Sequence, residues 1–255
     1  MSHARRIVLA VYAGRDGYNR FVARKPAQNS SPEPTGGSKS ARTRERILDA
    51  AAHVLSRKGY AGTRLADVAD QAQLQAPAIY YYFPSREDLI EEVMWTGIAH
   101  MREHLTAALA ALPENAEPMA KLDAAVEAHL RYELEISDYT TASIRNAGQV
   151  PEDLRIRYSA EATKYGDIWR KLVQEIADAG LLRGDLDARV ARMMILGALS
   201  WAAEWWNPRR GTLDQVVKTA QSIARHGLGT PEAFAEAVKQ PARKTRATRS
   251  PSTAR

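Results

Sequence analysis

Apolar residues recur along this chain at spacings of three and four, and strand-like alternation is sparse, so the body reads as helical. The first helix gathers Ile47, Leu48, Ala51, Val54 and Leu55 on one face. It stops near Gly59, with Arg57 and Lys58 in its last turn, where cations suit the helix dipole. A second start follows at Thr63. Ser85-Arg86-Glu87-Asp88 has the Ser-x-x-acid form of a capping box and opens a long helix through about Ala111, ending before Pro113. Further helices are expected over residues 117–137, 139–147, 152–179, 187–206 and 212–228, with Gly148, Pro151, Gly180, Gly184, Pro208 and Gly211 marking the breaks.

The stretch from Leu65 to Tyr80 predicts two short helices meeting at a tight angle. Val68, Ala72, Leu74 and Ile79 sit where those helices must face each other, and Ala69 is small enough to let their backbones approach. Thr63 is placed to cap the first, and Pro77 fits the first turn of the second, where a missing N–H costs little. Three consecutive tyrosines follow, Tyr80, Tyr81 and Tyr82. They cannot all share one helix face, so some must point outward, where a hydroxyl can reach a phosphate or a ring can press on a thymine methyl.

Charge changes this picture only locally. The net charge is +6, but residues 1–40 and residues 241–255 each carry +5, which leaves −4 for residues 41–240. Any attraction of the folded body to nucleic acid therefore rests on particular side chains and not on bulk charge. The amino-terminal stretch opens with Arg5-Arg6 and the apolar run Ile7 to Ala13, which has the form of a short export signal. Its shortness and the body that follows favour a basic disordered arm, or an overlong assignment of the start, in a cytoplasmic protein. Residues from Pro241 onward read as a similar basic tail. Cysteine is absent, which removes disulfides, thiolate catalysis and Cys-ligated metal sites. No apolar run reaches the roughly eighteen residues of a membrane span, so no membrane partner is expected.

Ile79-Tyr80-Tyr81-Tyr82-Phe83-Pro84-Ser85-Arg86-Glu87-Asp88-Leu89, with Arg46 to Ala51 and Gly59-Tyr60-x-x-Thr63 upstream, resembles the amino-terminal signature of the TetR family. The resemblance implies an all-α protein with a three-helix helix-turn-helix DNA-binding domain and a larger helical ligand-binding and dimerisation domain. The corresponding boundaries are a basic arm over residues 1–40, the helix-turn-helix over 41–92, the larger domain over 93–229 and a basic tail over 230–255. It implies a homodimer that binds a near-palindromic double-stranded DNA operator as a repressor, with no cofactor, catalytic residue or metal. Tyr80, Tyr82 and Arg86 would meet phosphates, and Thr63 and Arg64 the backbone beside the second helix. Gln75, Ala76, Pro77, Ala78 and Tyr81 would face the major groove. Two residues depart from the family's habit, Gln73 where glycine usually makes the turn and Gln75 where serine often caps the recognition helix. Gln73 costs on the order of 1 kcal/mol in a left-handed turn, and Gln75 leaves the start of that helix open between itself and Ala76.

Residues 187–206 carry Val190, Met193, Met194, Ile195, Leu196, Leu199, Trp201, Trp205 and Trp206, too wide a spread for one stripe, so this helix is expected to be buried on two sides. Leu213, Val216, Val217, Ala220, Ile223 and Ala224 form a second stripe. In TetR relatives the last two long helices form a four-helix dimer interface, which implies Trp205, Val216, Val217, Ala220, Ile223 and Ala224 as interface residues. Gly180 to Leu186 and Trp201-x-x-x-Trp205-Trp206-Asn207-Pro208 are loosely similar to the TetR members that govern fatty-acid and steroid breakdown and respond to acyl-CoA thioesters. Such an effector would want an apolar tunnel lined by residues such as Met101, Trp169, Met194 and Trp201, with Arg145 or Arg170 at its mouth.

An enzyme is the first rival reading, and the chain lacks a Gly-rich phosphate loop and a Gly-x-Ser-x-Gly elbow. His100 and His104 stand one turn apart, as a metal site would require, but without the His-Glu-x-x-His order or an obvious third ligand. The second rival is a structural DNA-binding protein that needs no small ligand.

Overall fold

The computed structural model of the protein describes residues 39–136, 138–209 and 211–231. Nearly all of the expected arm and most of the expected tail lie outside the described residues. Among those described, the elements run α1 (Lys39–Gly62), α2 (Leu65–Ala72), α3 (Ala76–Tyr82), α4 (Arg86–Ala110) and α5 (Pro118–Arg131). A π-helical turn (Tyr132–Ile136) leads to α6 (Asp138–Asn146), and a short 3-10 turn (Asp153–Arg155) to α7 (Ile156–Asp178). α8 (Ala188–Ser200), α9 (Ala202–Trp205) and α10 (Leu213–Leu228) complete the order. The one β feature among them is an isolated antiparallel bridge, Leu182 to Gly229. No helix among the described residues is long and apolar enough to cross a membrane.

Local chemistry explains most of the boundaries. The Ser85 hydroxyl accepts from the Asp88 N–H at 3.0 Å, so α4 starts where its capping sequence requires. Thr212 and Gln215 close a reciprocal capping box at the start of α10. α1 is broken at Gly59, whose φ of 70° and ψ of 175° leave the helix. Gln73 takes the left-handed turn position with φ 53°, and the Leu74 N–H closes that turn on the Ala69 carbonyl at 2.9 Å.

Three expectations are corrected. Thr63 does not cap α2, because it is buried and its hydroxyl donates to the Gly59 carbonyl at 2.8 Å, leaving Arg64 at the cap position. The helix expected over 117–137 ends as an α-helix at Arg131 and widens into the π turn, in which Glu133 is buried. The helix expected over 187–206 tightens after Trp201, where the Glu204 N–H reaches the Trp201 carbonyl three residues back, and so divides into α8 and α9.

The core of α1–α3 is built on Ile47, Leu55, Val68, Ala69, Ala72 and Ile79, all buried, with Leu74 packed at its edge. α4 starts beside this core and runs on into the larger helical layer, where it packs against α6 and α7. Its crossing with α6 is close. A Cβ at Gly97 would stand 2.2 Å from Ser143 Oγ and 2.4 Å from the Tyr139 carbonyl oxygen, so only hydrogen fits there. Ser143 also donates to the Met94 carbonyl at 2.9 Å across the same crossing. Gly97→Ala is expected to force the two helices apart at a cost of about 1–3 kcal/mol. A urea midpoint equal to that of the wild type would contradict this crossing.

Candidate functional site

α3 is seven residues long and carries no charge. Ile79 anchors it, fully buried, while Tyr81 is 81% and Tyr80 57% exposed. Tyr82 is half-buried and holds the Tyr81 ring edge-on at 5.0 Å. Gln75 and Pro77 are exposed and Ala76 and Ala78 half-buried. The helix starts at Ala76, and Gln75 at its cap makes no side-chain bond, which leaves the Gln75 amide outward and unspent on the backbone. The surface that results is an aromatic and hydroxyl ridge with a free amide at one end. Arg64 is exposed at the start of α2.

Arg86 departs from the sequence expectation of a phosphate contact. Its Nε donates to the Thr63 carbonyl at 2.7 Å, one terminal nitrogen donates to the Tyr60 carbonyl, and the other pairs with Glu87 at 2.8 Å. The guanidinium lies 4.5 Å from the centre of the Tyr60 ring. The reason is local: the end of α1 presents carbonyls without helical partners, and a cation in the first turn of α4 satisfies them. Arg44 plays a related part that the sequence reading missed, bonded to Glu92 on α4 at 2.9 Å and lying 5.0 Å from the Phe83 ring. Burial pushes the Glu92 carboxyl up, but its hydrogen bonds from Arg44 and Arg157 outweigh this and hold it below the usual carboxylate range.

A cleft of about 800 Å³ opens between α8–α9 and α10. Its deep end is formed by the buried Leu130, Leu199, Ala202 and Ala224, and its rim by the exposed Trp201, Trp205 and Ile223. Asn207, Thr212, Gln215 and Thr219 supply uncharged polar groups, and no charged side chain is among the described lining. Its volume lies within the range of small-molecule sites.

The expected ligand residues are not brought together. Trp201 alone of the six lines the cleft. Met101 and Trp169 are buried in the core, Met194 is 71% exposed on the outer face of α8, and Arg170 pairs with Asp167 at 2.8 Å at the surface. Arg145 is held by Glu204 at 2.8 Å, by the Ala203 carbonyl at 2.6 Å and by the Ser56 carbonyl at 3.3 Å. It joins α9 and α6 to the end of α1 and does not stand at a cavity mouth. The expected dimer residues divide as well. Trp205 and Ile223 are exposed and Val216 and Ala220 half-buried, but Val217 and Ala224 are buried inside the protomer, where the α10 stripe meets its own core. Within one chain α8 is buried on one side only, and Val190 and Met194 face outward.

Sequence reasoning also missed a buried polar group, His129, Glu133 and Tyr165 beside Trp169. Single polar residues in helical stripes carry no mark of burial, and these meet only because α5, the π turn and α7 pack together.

A helix-turn-helix on a larger helical layer is the fold of a class of bacterial transcription regulators. Two family models match the chain, "Bacterial regulatory proteins, tetR family" over residues 47–93 and "Tetracyclin repressor-like, C-terminal domain" over residues 115–228. The chain belongs to the TetR family, whose members are transcription regulators and not enzymes. It is 25% identical over 207 residues to the HTH-type transcriptional repressor KstR2 of Rhodococcus jostii (strain RHA1), covering 78% of this chain and 96% of that one. To the fatty acid metabolism regulator protein of Bacillus subtilis (strain 168) it is 26% identical over 166 residues, covering 63% and 81%. In fold it is similar to AibR, solved in complex with isovaleryl coenzyme A and operator DNA. The TM-score is 0.65, with 21% identity over 71% of this chain and 97% of that one.

Because Arg86 spends its donors on carbonyls, Arg86→Ala is expected to lower stability by about 1.5–3 kcal/mol. The check is chemical denaturation: wild-type stability in the variant would return Arg86 to the surface role that its sequence position suggested.

Proposed function

We propose that the chain is a dimeric transcriptional repressor that binds a near-palindromic operator through α3 and is released by a small effector with an apolar body, acyl-CoA-like in class. The observation that carries the DNA reading is Tyr81, 81% exposed on a short helix pinned by the buried Ile79. Exposed aromatics so placed serve groove contact, because a large ring left in water buries nothing within its own chain. Gln75, Ala76, Pro77, Ala78 and Tyr81 then face bases, while Tyr80, Tyr82 and Arg64 approach the phosphates. Thr63 and Arg86 act behind them, by fixing the end of α1 against α4. Operator binding puts the protein in the compartment that holds the chromosome, the cytoplasm.

The dimer reading rests on the outward apolar face of Val190, Met194, Trp201, Trp205 and Ile223. A two-fold pairing of this face covers it, closes the rim of the cleft that Trp201, Trp205 and Ile223 form, and sets the two α3 helices for successive major-groove faces, about 34 Å apart. Val216 and Ala220 sit at the edge of that pairing, and Val217 and Ala224 support it from within.

The effector reading rests on the cleft and on what its wall touches. α9 forms that wall, and Ala203 and Glu204 of α9 hold Arg145, which in turn holds the Ser56 carbonyl at the end of α1. A ligand that displaces α9 therefore pulls on the helix-turn-helix. It acts only through its differential affinity for the two positions, so tight binding alone is not enough. AibR, of similar fold, is described with both an acyl coenzyme A and operator DNA, which supports the class of effector.

Selection of binding fragments from genomic DNA, followed by mobility shifts, tests the reading. The wild type is expected to bind a near-palindrome and to be released by long-chain acyl-CoA, and Tyr81→Ala is expected to lose about 1–3 kcal/mol of sequence preference. Equal affinity of wild type and Tyr81→Ala for all sequences would remove α3 as the reader. Ile223→Glu is expected to give monomers with weak operator affinity, whereas Val217→Glu unfolds the protomer, since it places a charge in the core. A wild type that sediments as a monomer at micromolar concentration contradicts the dimer.

A further inference from the structure

The regulatory layer buries a polar cluster that its own packing leaves unfinished. The His129, Glu133, Tyr165 and Trp169 side chains are all essentially inaccessible. The His129 Nδ1 and the Tyr165 hydroxyl are hydrogen-bonded at 2.7 Å. On the other side of the ring, His129 Nε2 and Glu133 Oε2 approach to 3.1 Å, close enough to attract but misaligned for a hydrogen bond. Glu133 Oε1 has no partner, and neither has the Trp169 indole N–H, whose ring lies 6.0 Å from the imidazole. An unspent acceptor and an unspent donor thus flank one buried histidine. Buried polar atoms are nearly always paired, and those that are not mark a bound molecule or a functional site.

The position adds to this. Glu133 stands in the π turn, a wide and uncommon form that recurs at functional sites. That turn packs against α9, the wall of the cleft, and Leu130, next to His129 in the chain, is part of the cleft's deep end. We propose that His129, Glu133, Tyr165 and Trp169 form the inner end of the effector site and read an uncharged group that both donates and accepts a hydrogen bond, such as a hydroxyl or a primary amide. The proposal rests on the effector reading above and narrows it.

A hydroxyl has the chemistry for both, able to donate to Glu133 and to accept from Trp169. A carboxylate cannot donate, and burying its charge at this inaccessible position costs more than burying a hydroxyl. Arg145 and Glu204 act on Glu133 in opposite directions, and Arg145 is already paired with Glu204 at 2.8 Å, so it is not free to hold an anion there. Burial pushes the Glu133 carboxyl above its usual range, with His129 opposing, so burial favours the neutral carboxyl there. The readout path is short. The π turn leads into α6, where Asp138, Tyr139, Arg145 and Asn146 all bond to α1.

The test uses the full-length protein and three probes with one apolar chain, 1-decanol, decanamide and decanoate, titrated at neutral pH with tryptophan fluorescence as readout. The alcohol and the amide are expected to bind at least about tenfold tighter than decanoate, an order of magnitude being about what one hydrogen bond donated to the buried Glu133 carboxyl gives. Glu133→Leu is expected to lose that preference, and Glu133→Gln to keep it. Because Glu133→Leu replaces a buried carboxyl, met only by His129 at 3.1 Å, with an apolar side chain that needs no partner, the melting temperature of the ligand-free variant is expected to stay level or rise. Equal binding of decanoate by the wild type, a preference that survives in Glu133→Leu, or a sharp fall in that variant's melting temperature would each overturn the proposal. So would the absence of binding by all three probes. Operator binding and its release by acyl-CoA, measured apart, decide the wider reading independently.

Discussion

Where α1 breaks, it leaves carbonyl oxygens in search of donors, and the placement of the helix-turn-helix follows from which groups answer. Gly59 turns the chain out of the helix, and the Leu55, Ser56, Tyr60 and Thr63 carbonyls cannot all be met from within α1. Asn146 donates to the Leu55 carbonyl at 3.3 Å while its own carbonyl accepts from the Tyr60 N–H at 2.7 Å. Arg145 takes the Ser56 carbonyl, and Arg86 takes those of Tyr60 and Thr63. One helix end is thus shared between α4, which opens the larger layer, and α6, which lies inside it. Losing any of these donors leaves a buried or half-buried acceptor unmet, at about 1–3 kcal/mol each.

This arrangement explains why the two units do not behave as beads on a string. α4 is continuous across the expected boundary near residue 92, and Gly97 allows α6 to lie directly on it. Further pairs tie α1 to the same layer: His53 with Asp138 at 2.9 Å, Tyr139 with Asp49 at 2.8 Å, and Arg44 through Glu92 to Arg157. Burial together with the Asp49 carboxylate pushes the Tyr139 hydroxyl well above the ordinary tyrosine range, so it remains a donor at any working pH. Most of these pairs are surface-facing and individually weak. Their effect is geometric, since together they admit one register of α6 against α1.

The helices were legible in the sequence because their signals are local. Ser85 caps α4, Pro77 lies in the first turn of α3, Gly59 ends the regular part of α1, and the apolar stripes fall at helical spacing. Gln73 was also readable as the left-handed residue, from its place in the motif and against its own preference. Side-chain roles were less legible because they depend on which neighbour arrives from far along the chain. Arg86 carries the motif's charge, yet the carbonyls it meets lie 23 and 26 residues earlier. Val217 and Ile223 belong to one stripe of α10, and nothing in that stripe says which edge meets its own core and which stays outside. Arg145 looked like a free cation for an anionic head, and the residues that claim it come from α9 and α1.

The cleft and the buried polar cluster both draw on the stretch from α5 to the π turn, through Leu130 and through His129 and Glu133, and this bears on how a small ligand could act. Moving a two-state equilibrium from 1:99 to 99:1 takes about 5.5 kcal/mol of differential binding. On the proposed reading, an apolar body in the cleft, acting through α9, would bias only the position of Arg145, and a polar end at Glu133 would bias the π turn and with it the first residues of α6. Neither contact has to supply the whole difference if one molecule makes both, because each acts on a different end of α6 and both ends hold α1. The π turn is suited to that role. Its wider winding departs from the α-helices that precede and follow it, a form that recurs at functional sites. The short, uncharged α3 is the element that pays for any movement of α6, since its hold on the rest of the chain runs through Ile79 and through the end of α1 that α6 secures.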